Sequence, residues 1–470
     1  MKMKLLAYLT LSFLLALSFY ACADDGANSG DTPQTEQPDT FEPDSDDPDV
    51  SDPGANAPDS DDSDTNDLDS DDSDISDTDT NDLDTNEPDT DVPPEEAAEQ
   101  LARAAIAGTV DPIEAFIRIS HGAGFPVKCQ DGKYLFMHLH EKGPWSIAGD
   151  FNNWEAQAMT RSVDGLWYIE LSISNPIGSA YKFIQRSTDI ADPWARAYEY
   201  NQHGEASFVA PPQRAHLQRF RVFSGQSLKS RDIRVYVPGT EGPWSVLYVH
   251  DGLELLGAAW KLGDTMEEIQ GDFLIVGIDN TDDRMEEYIH VDDHYVGSTW
   301  NAKGKEYADL VQTDLRPFIE KRFATKDLRG LLGADLGGLI SLYIAHLYPD
   351  DYAFTASMSG TLTWGRLALN NTTMQELYEE AGKRDFIIYA DSGGNEGDGC
   401  LPGWADALED EESRDNYCAT KAFVDALVAK GYELDKDLFY HHEPDAQPNE
   451  EAWAARVNIP LEIFKDLDEK

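Results

Sequence analysis

Positive charge is scarce in this chain of 470 residues, which carries 36 Lys and Arg against 90 Asp and Glu, for a formal net charge of -54. Without a basic patch interleaved with aromatics, nothing in the sequence supports nucleic-acid binding. Residues 23–94 contain no Lys or Arg at all and hold about half of the excess negative charge. Their loose repeat, "DSDDSDTNDLDSDDSDISDTDTNDLDTN", has too few apolar side chains to offset the entropy of ordering a fold, so it is expected to form an extended, self-repelling stalk. The stalk also lacks the central Gly and terminal bidentate Glu of calcium loops, which leaves weak counter-ion binding as the expectation. No metal or cofactor motif is present. Cysteine is rare too, with four in the whole chain.

The first residues, "MKMKLLAYLTLSFLLALSFYACADD", set Lys2 and Lys4 before an apolar run from Leu5, then small Ala21 before Cys22. That is the layout of a secretory signal, and the run is too short and too quickly followed by acid to favour a membrane-spanning helix. A cysteine at the cleavage point ahead of a tether resembles bacterial lipoproteins, which implies lipidation of Cys22 and a membrane anchor; plain secretion is the alternative. With Cys22 so used, Cys400 and Cys418 remain as a local pair expected to form a disulfide, and Cys129 is expected to be a buried free thiol.

The organisation that follows reads as a signal (1–22), a disordered Asp-rich linker (23–94), a helical lead-in (95–120), a small β-sandwich (121–212) and an α/β domain (213–470). "PEEAAEQLARAAIAG" has an acidic first turn, Ala/Leu periodicity and a closing Gly108. Between Tyr134 and Val209, short runs of period two such as "LWYIELSI" and "AYKFIQR" predict antiparallel strands. "IAGDFNNWEAQAMTRSVDGLWYIELSI" through "DPWARAY" resembles the early-set immunoglobulin-like modules at the front of glycogen-branching and debranching enzymes and enterochelin-esterase-like proteins. The resemblance implies that Trp154 and Lys182 match sugar-touching positions, although the usual second platform tryptophan is missing. A structural role is therefore the first expectation for this module, and glycan binding the second.

From Ala215 onward, apolar runs such as "SVLYVHDG", "DFLIVGIDN" and "DFIIYADSGG" alternate with helical stretches, which predicts a mostly parallel sheet with helices on both faces. "LYVHDG", "VGIDNTDDRMEEY", "GADLGGLISLYIAHLYPDDYAFTASMSG", "YADSGGNE" and "DAQPNEEAWAAR" follow one another as in the esterase branch of the α/β-hydrolases, which includes enterochelin and feruloyl esterases. The chain resembles that family from about Gln218 to Phe464, which implies an α/β-hydrolase fold.

"GADLGGL" has the Gly-x-Ser-x-Gly frame of a nucleophile elbow with Asp335 in place of the serine. Relatives place a histidine where this chain has Pro448. The resemblance assigns the oxyanion amides to Leu336 and Leu253, and the triad acid to Glu396 or, as the lesser choice, Asp391. Arg284 and Tyr288, with Glu287 between them, and also His250 are read as site-mouth residues, and Trp364 as part of the cleft wall; each has packing or an internal ion pair as its structural alternative. Trp453 is read as core. An aspartate can attack saturated carbon, but its ester must then be hydrolysed by water activated by a general base, and Pro448 has no lone pair for that. Asp335 is instead expected to turn into the oxyanion hole and accept its amides. The expected function is thus a lipid-anchored, esterase-like envelope protein without serine-hydrolase activity that binds a small ester or glycan. Its alternatives are a hydrolase rebuilt around Asp335 with His250 or His442, and carbohydrate binding through the sandwich.

Overall fold

The computed structural model describes residues 94–162, 165–257, 259–395 and 415–469, all within one unit, Asp84–Lys470. The signal with Cys22, nearly all of the Asp-rich linker, Glu396 and the Cys400 end of the expected disulfide lie outside the described residues. Cys129 is free and buried.

The lead-in forms two helices. Pro94–Ile106 opens on Glu95 and Glu96 and closes on Arg103, charges that complement the helix dipole. Pro112–His121 is capped by Asp111, whose carboxylate accepts the amides of Ile113 (2.9 Å) and Glu114 (3.3 Å). Ala98, Ala102 and Ala105, spaced at four and three, share a buried core with Ala115, Phe116 and Ile119.

Next come two antiparallel sheets. One orders Val127–Lys128, Tyr134–Leu139, Leu166–Leu171 and Thr160–Arg161; the strands of the other include Ser146–Gly149, Ala180–Gln185, Gly204–Phe208 and Ala197–Asn201. Phe136 and Trp167 from the first bury with Ile147, Tyr181 and Phe183 from the second, so alternation along each strand becomes a sandwich core.

The α/β part uses eight strands: β1 (His216–Phe223), β2 (Arg231–Val237), β3 (Trp244–His250), β4 (Leu274–Ile278), β5 (Thr325–Ala334), β6 (Phe354–Met358), β7 (Ile387–Ser392) and β8 (Leu438–His442). Their spatial order is 1-2-4-3-5-6-7-8. β2 runs antiparallel to its neighbours β1 and β4, and every pairing from β4 through β8 is parallel. Helices Leu336–Leu347, Met374–Ala381 and Tyr417–Ala429 cover one face, while Gly252–Leu256, Leu262–Glu268 and Asn458–Asp468 cover the other. Covering both faces is what makes continuous apolar strands stable.

The sandwich is not a bead on a string. Ala197 and Tyr198 pair with Gln218 and Leu217 of β1, so one sheet of the sandwich continues into the α/β sheet and crosses the boundary read at 212/213. Arg219 lies 3.6 Å from the Tyr198 ring centre and pairs with Glu205, and Arg234 donates to the Tyr198 hydroxyl (3.1 Å) while gripping Asp279. Arg196 ties in the lead-in by donating to the carbonyls of Ser120, Gly122 and Arg219.

Candidate functional site

β5 ends at Ala334, the chain reverses at Asp335 with φ 55° and ψ -121°, and the helix Leu336–Leu347 begins. Positive φ strains any residue with a Cβ, and the packing around the turn over-determines it. A Cβ on Gly333 would lie 2.4 Å from the backbone of Gly337, and one on Gly338 would lie 2.7 Å from Ser357 Oγ. Glycines thus let strand and helix touch and hold residue 335 out at the tip.

The Asp335 carboxylate is 38% exposed. Its Oδ1 accepts the Thr361 hydroxyl at 2.5 Å and its Oδ2 accepts Arg284 Nη1 at 3.4 Å. It makes no hydrogen bond to the amides of the helix it precedes. The expectation that it plugs the oxyanion hole is therefore corrected, because a hydroxyl and a guanidinium draw it sideways. Leu336 is buried beside it and Leu253 is exposed.

Arg284 joins two acids. Its Nε and Nη2 donate to Asp251 Oδ1 (2.8 Å) and Oδ2 (3.0 Å), a bidentate grip, and Asn280 adds a bond to the same Oδ1 at 2.8 Å. Burial works against the Arg284 charge, but Asp251 and then Asp335 hold its pKa above the ordinary arginine range. Asp251 Oδ2 sits 3.2 Å from where a Gly337 Cβ would be, against the first turn of the elbow helix. Nearby, Glu254 Oε2 is buried without a partner, and burial followed by the Asp251 charge pushes this carboxyl up to about 7.

The imidazoles point elsewhere. His250 is wholly buried; its Nδ1 bonds the Tyr307 hydroxyl at 2.9 Å, and burial pushes its pKa down to about 3. His442 bonds the Gly394 carbonyl (2.9 Å) and His441 faces Glu443 (3.3 Å). Pro448 is exposed in the turn before Asn449, which caps the helix Glu450–Arg456 by accepting the Ala452 amide. Among the described residues, the hydrogen-bond partners of the Asp335 carboxylate are Thr361 and Arg284.

Tyr288 is buried beneath Arg284, and its hydroxyl accepts the Asp251 amide at 3.2 Å. Glu287 pairs with Arg231 (2.7 Å, both side chains 0% exposed) rather than with Arg284. Trp364 is 1% exposed and donates its indole N–H to the Val291 carbonyl, which places it in the core rather than on an open wall.

At the end of β7, Asp391 is fully buried and bound by Arg456 Nε (3.1 Å), the Tyr389 hydroxyl (2.8 Å) and the Ser359 amide (3.0 Å). Arg456 also holds Asp415 (3.0 Å) and Ser359 Oγ (2.6 Å), and Trp453 Nε1 donates to that same Oγ at 3.1 Å. An arginine on the helix following Pro448 thus occupies the lesser candidate for the triad acid. Sequence reading missed Asp251, Thr361, Asp415 and Arg456. Of these, Asp251 had a signal, being the acid of "HDG", and the others are brought in by tertiary packing alone.

In the sandwich, Trp154 and Lys182 line one cavity. Ala180, Asp189, Asn201 and His203 line it too; its volume is about 470 Å³, and Trp154 is 46% exposed. Asn153 and Trp154 both take left-handed φ, of 52° and 61°, and Asp150 accepts the Trp154 indole N–H at 3.0 Å, which fixes the ring outward. Lys182 Nζ is held by Asp189 (2.8 Å) and the His203 carbonyl (3.3 Å).

Strand order, the glycine-locked turn and the helices on both faces define an α/β-hydrolase domain in which the elbow carries a carboxylate. Residues 224–454 match the family described as "Putative esterase". Over that segment, just under half of its length, the chain is similar to this esterase family. Its solved structural relatives include an IroE-like serine hydrolase from Shewanella oneidensis (19% identity, 53% of this chain and 80% of that one, TM-score 0.42) and the enterochelin esterase of Shigella flexneri (15%, 72% and 93%, 0.41). A ferulic acid esterase is similar at 15% identity over 54% of this chain and 98% of that one, with TM-score 0.41. A search of the curated proteins found no match.

Proposed function

We propose that this chain is an esterase-family protein of the cell envelope that binds a ligand in the hydrolase cleft without turning over esters by the serine-hydrolase cycle. One observation carries the reading: the elbow carboxylate is bonded to Thr361 and Arg284 rather than to an imidazole. A general base must stand within hydrogen-bond reach of the group it serves, and His250, at the end of β3, is buried with its Nδ1 on the Tyr307 hydroxyl and its Nε2 unpartnered, making no bond to the Asp335 carboxylate. Attack by the carboxylate itself would leave an acyl or alkyl aspartate with no activated water to clear it. Purified full-length protein incubated with p-nitrophenyl butyrate is expected to release nitrophenol at the buffer rate. Turnover that disappears in Asp335→Ala would overturn the proposal.

Attachment through a lipidated Cys22 belongs to the same reading, supported by Lys2, Lys4, the apolar run and the acidic tether after it. Metabolic labelling with an alkynyl fatty acid is expected to mark the chain and to be lost in Cys22→Ser.

The shared cavity of Trp154 and Lys182 favours a second reading, in which an early-set-like sandwich holds a glucan. An outward indole offers a stacking face and the ammonium a donor for sugar hydroxyls. Native electrophoresis in glycogen-containing gels is expected to retard the protein, with the retardation abolished in Trp154→Ala; equal mobility with and without glycogen removes this reading.

A further inference from the structure

At the far end of the elbow helix, roughly 16 Å along its axis from Asp335, lies a cavity that the cleft chemistry does not use. It measures about 330 Å³ and is lined by His346, Leu377, Glu380, Ala381 and Arg384. Among the described residues the Arg384 guanidinium has no hydrogen-bond or ion-pair partner, and its Nε is buried. Almost every other arginine of the fold is gripped by acids or carbonyls, as Arg231, Arg234, Arg284, Arg316 and Arg456 show. A buried cationic N–H without an acceptor is costly, and such a group in a cavity calls for a ligand that supplies one.

The walls define that ligand. Leu377 and Ala381 present apolar surface, the half-buried His346 ring lies 5.8 Å from that of Tyr378, and Glu380 stands exposed at the rim. Tyr378, whose ring is buried, ties its helix to the elbow helix by donating to the Leu342 carbonyl at 2.9 Å.

We propose that this cavity binds a small organic carboxylate, its carboxyl group bridged to Arg384 and its short apolar tail against Leu377 and Ala381. A planar two-oxygen acceptor matches the guanidinium fork, and the apolar wall selects a carboxylate with a tail over a bare inorganic anion. The site lies outside the hydrolase cleft, so its fate is independent of whether esters are turned over.

Sodium butyrate is the probe, added to full-length protein labelled at its histidine rings and followed by NMR against sodium chloride of equal ionic strength. Saturable movement of the His346 ring signals is expected with butyrate alone, with affinity falling roughly tenfold or more in Arg384→Gln and partly restored in Arg384→Lys. Should Arg384→Gln fail to fold, Leu377→Trp fills the apolar wall and is expected to abolish the shift. No saturable shift in the native protein, an equal response to chloride or to inorganic phosphate, or unchanged affinity in both Arg384→Gln and Leu377→Trp overturns the proposal.

Discussion

The Thr361 hydroxyl donates to the Asp335 carboxylate at 2.5 Å, and that carboxylate makes no hydrogen bond to the amides of the helix that follows. Thr361 follows β6 and Asp335 follows β5, so the bond spans the carboxyl ends of adjacent parallel strands, where ligands of open α/β sheets bind. Arg284 meets the same carboxylate from the other side and is itself held by Asp251. The elbow side chain is thus positioned by a hydroxyl and an ion pair, a pattern suited to holding a fixed anion and unsuited to proton transfer.

Restoring the hydroxyl should therefore not restore the chemistry. Asp335→Ser places an alcohol at the elbow with no imidazole to take its proton, and hydrolysis of p-nitrophenyl butyrate is expected to stay at background. Turnover in that single variant would reveal a base that the geometry does not supply. The same substitution leaves Arg284 with Asp251 alone, so folding is expected to survive it.

The glycines of the elbow set a steric limit. Gly333→Ala would put a methyl group 2.4 Å from the Gly337 carbonyl carbon, backbone against backbone, where no rotamer change gives relief. Such overpacking is expected to cost about 3 kcal/mol or to prevent folding. Chemical denaturation or the yield of soluble protein measures it, and a loss under 1 kcal/mol would mean that strand and helix are looser than described.

The Arg231–Glu287 pair is buried on both sides and reinforced by the Thr281 hydroxyl on Glu287 Oε2 (3.2 Å). Removing one partner leaves an uncompensated charge in the core. Glu287→Gln is expected to lower unfolding free energy by about 3–5 kcal/mol, read by urea denaturation. A change below 1 kcal/mol would mean that water or another acid reaches Arg231.

The α/β fold was legible because its signals are local: apolar runs of strand length, glycines flanking the elbow and helical periods between. Asp335 and Pro448 were legible for the same reason, as single substitutions in contiguous motifs. What the sequence hid depends on long-range packing. That Asp335 turns to Thr361 rather than to its own helix amides follows from how β6 lies beside β5. The pairing of Asp391 with Arg456 joins positions 65 residues apart through a helix whose angle no local pattern sets. Continuity between sandwich and α/β sheet rests on two residue pairs at Leu217 and Gln218, strands that read from sequence as the end of one module and the start of the next.

His250 gives the pH dependence a sign. Burial depresses its folded pKa to about 3 from the ordinary histidine value of 6.5, so as pH falls the unfolded chain takes up the proton first. The stability that this group contributes is complete above about pH 6.5 and is lost progressively as pH drops toward 3. A neutral replacement, His250→Gln, lacks that linkage whatever its constant cost. Urea midpoints converted to free energies should therefore show the native protein losing ground against His250→Gln by about 3 kcal/mol between pH 6.5 and pH 4, at about 1.4 kcal/mol per pH unit. Parallel stability curves for the two proteins across that range would mean that the imidazole is solvated and within reach of a proton, which would reopen it as a base for the elbow.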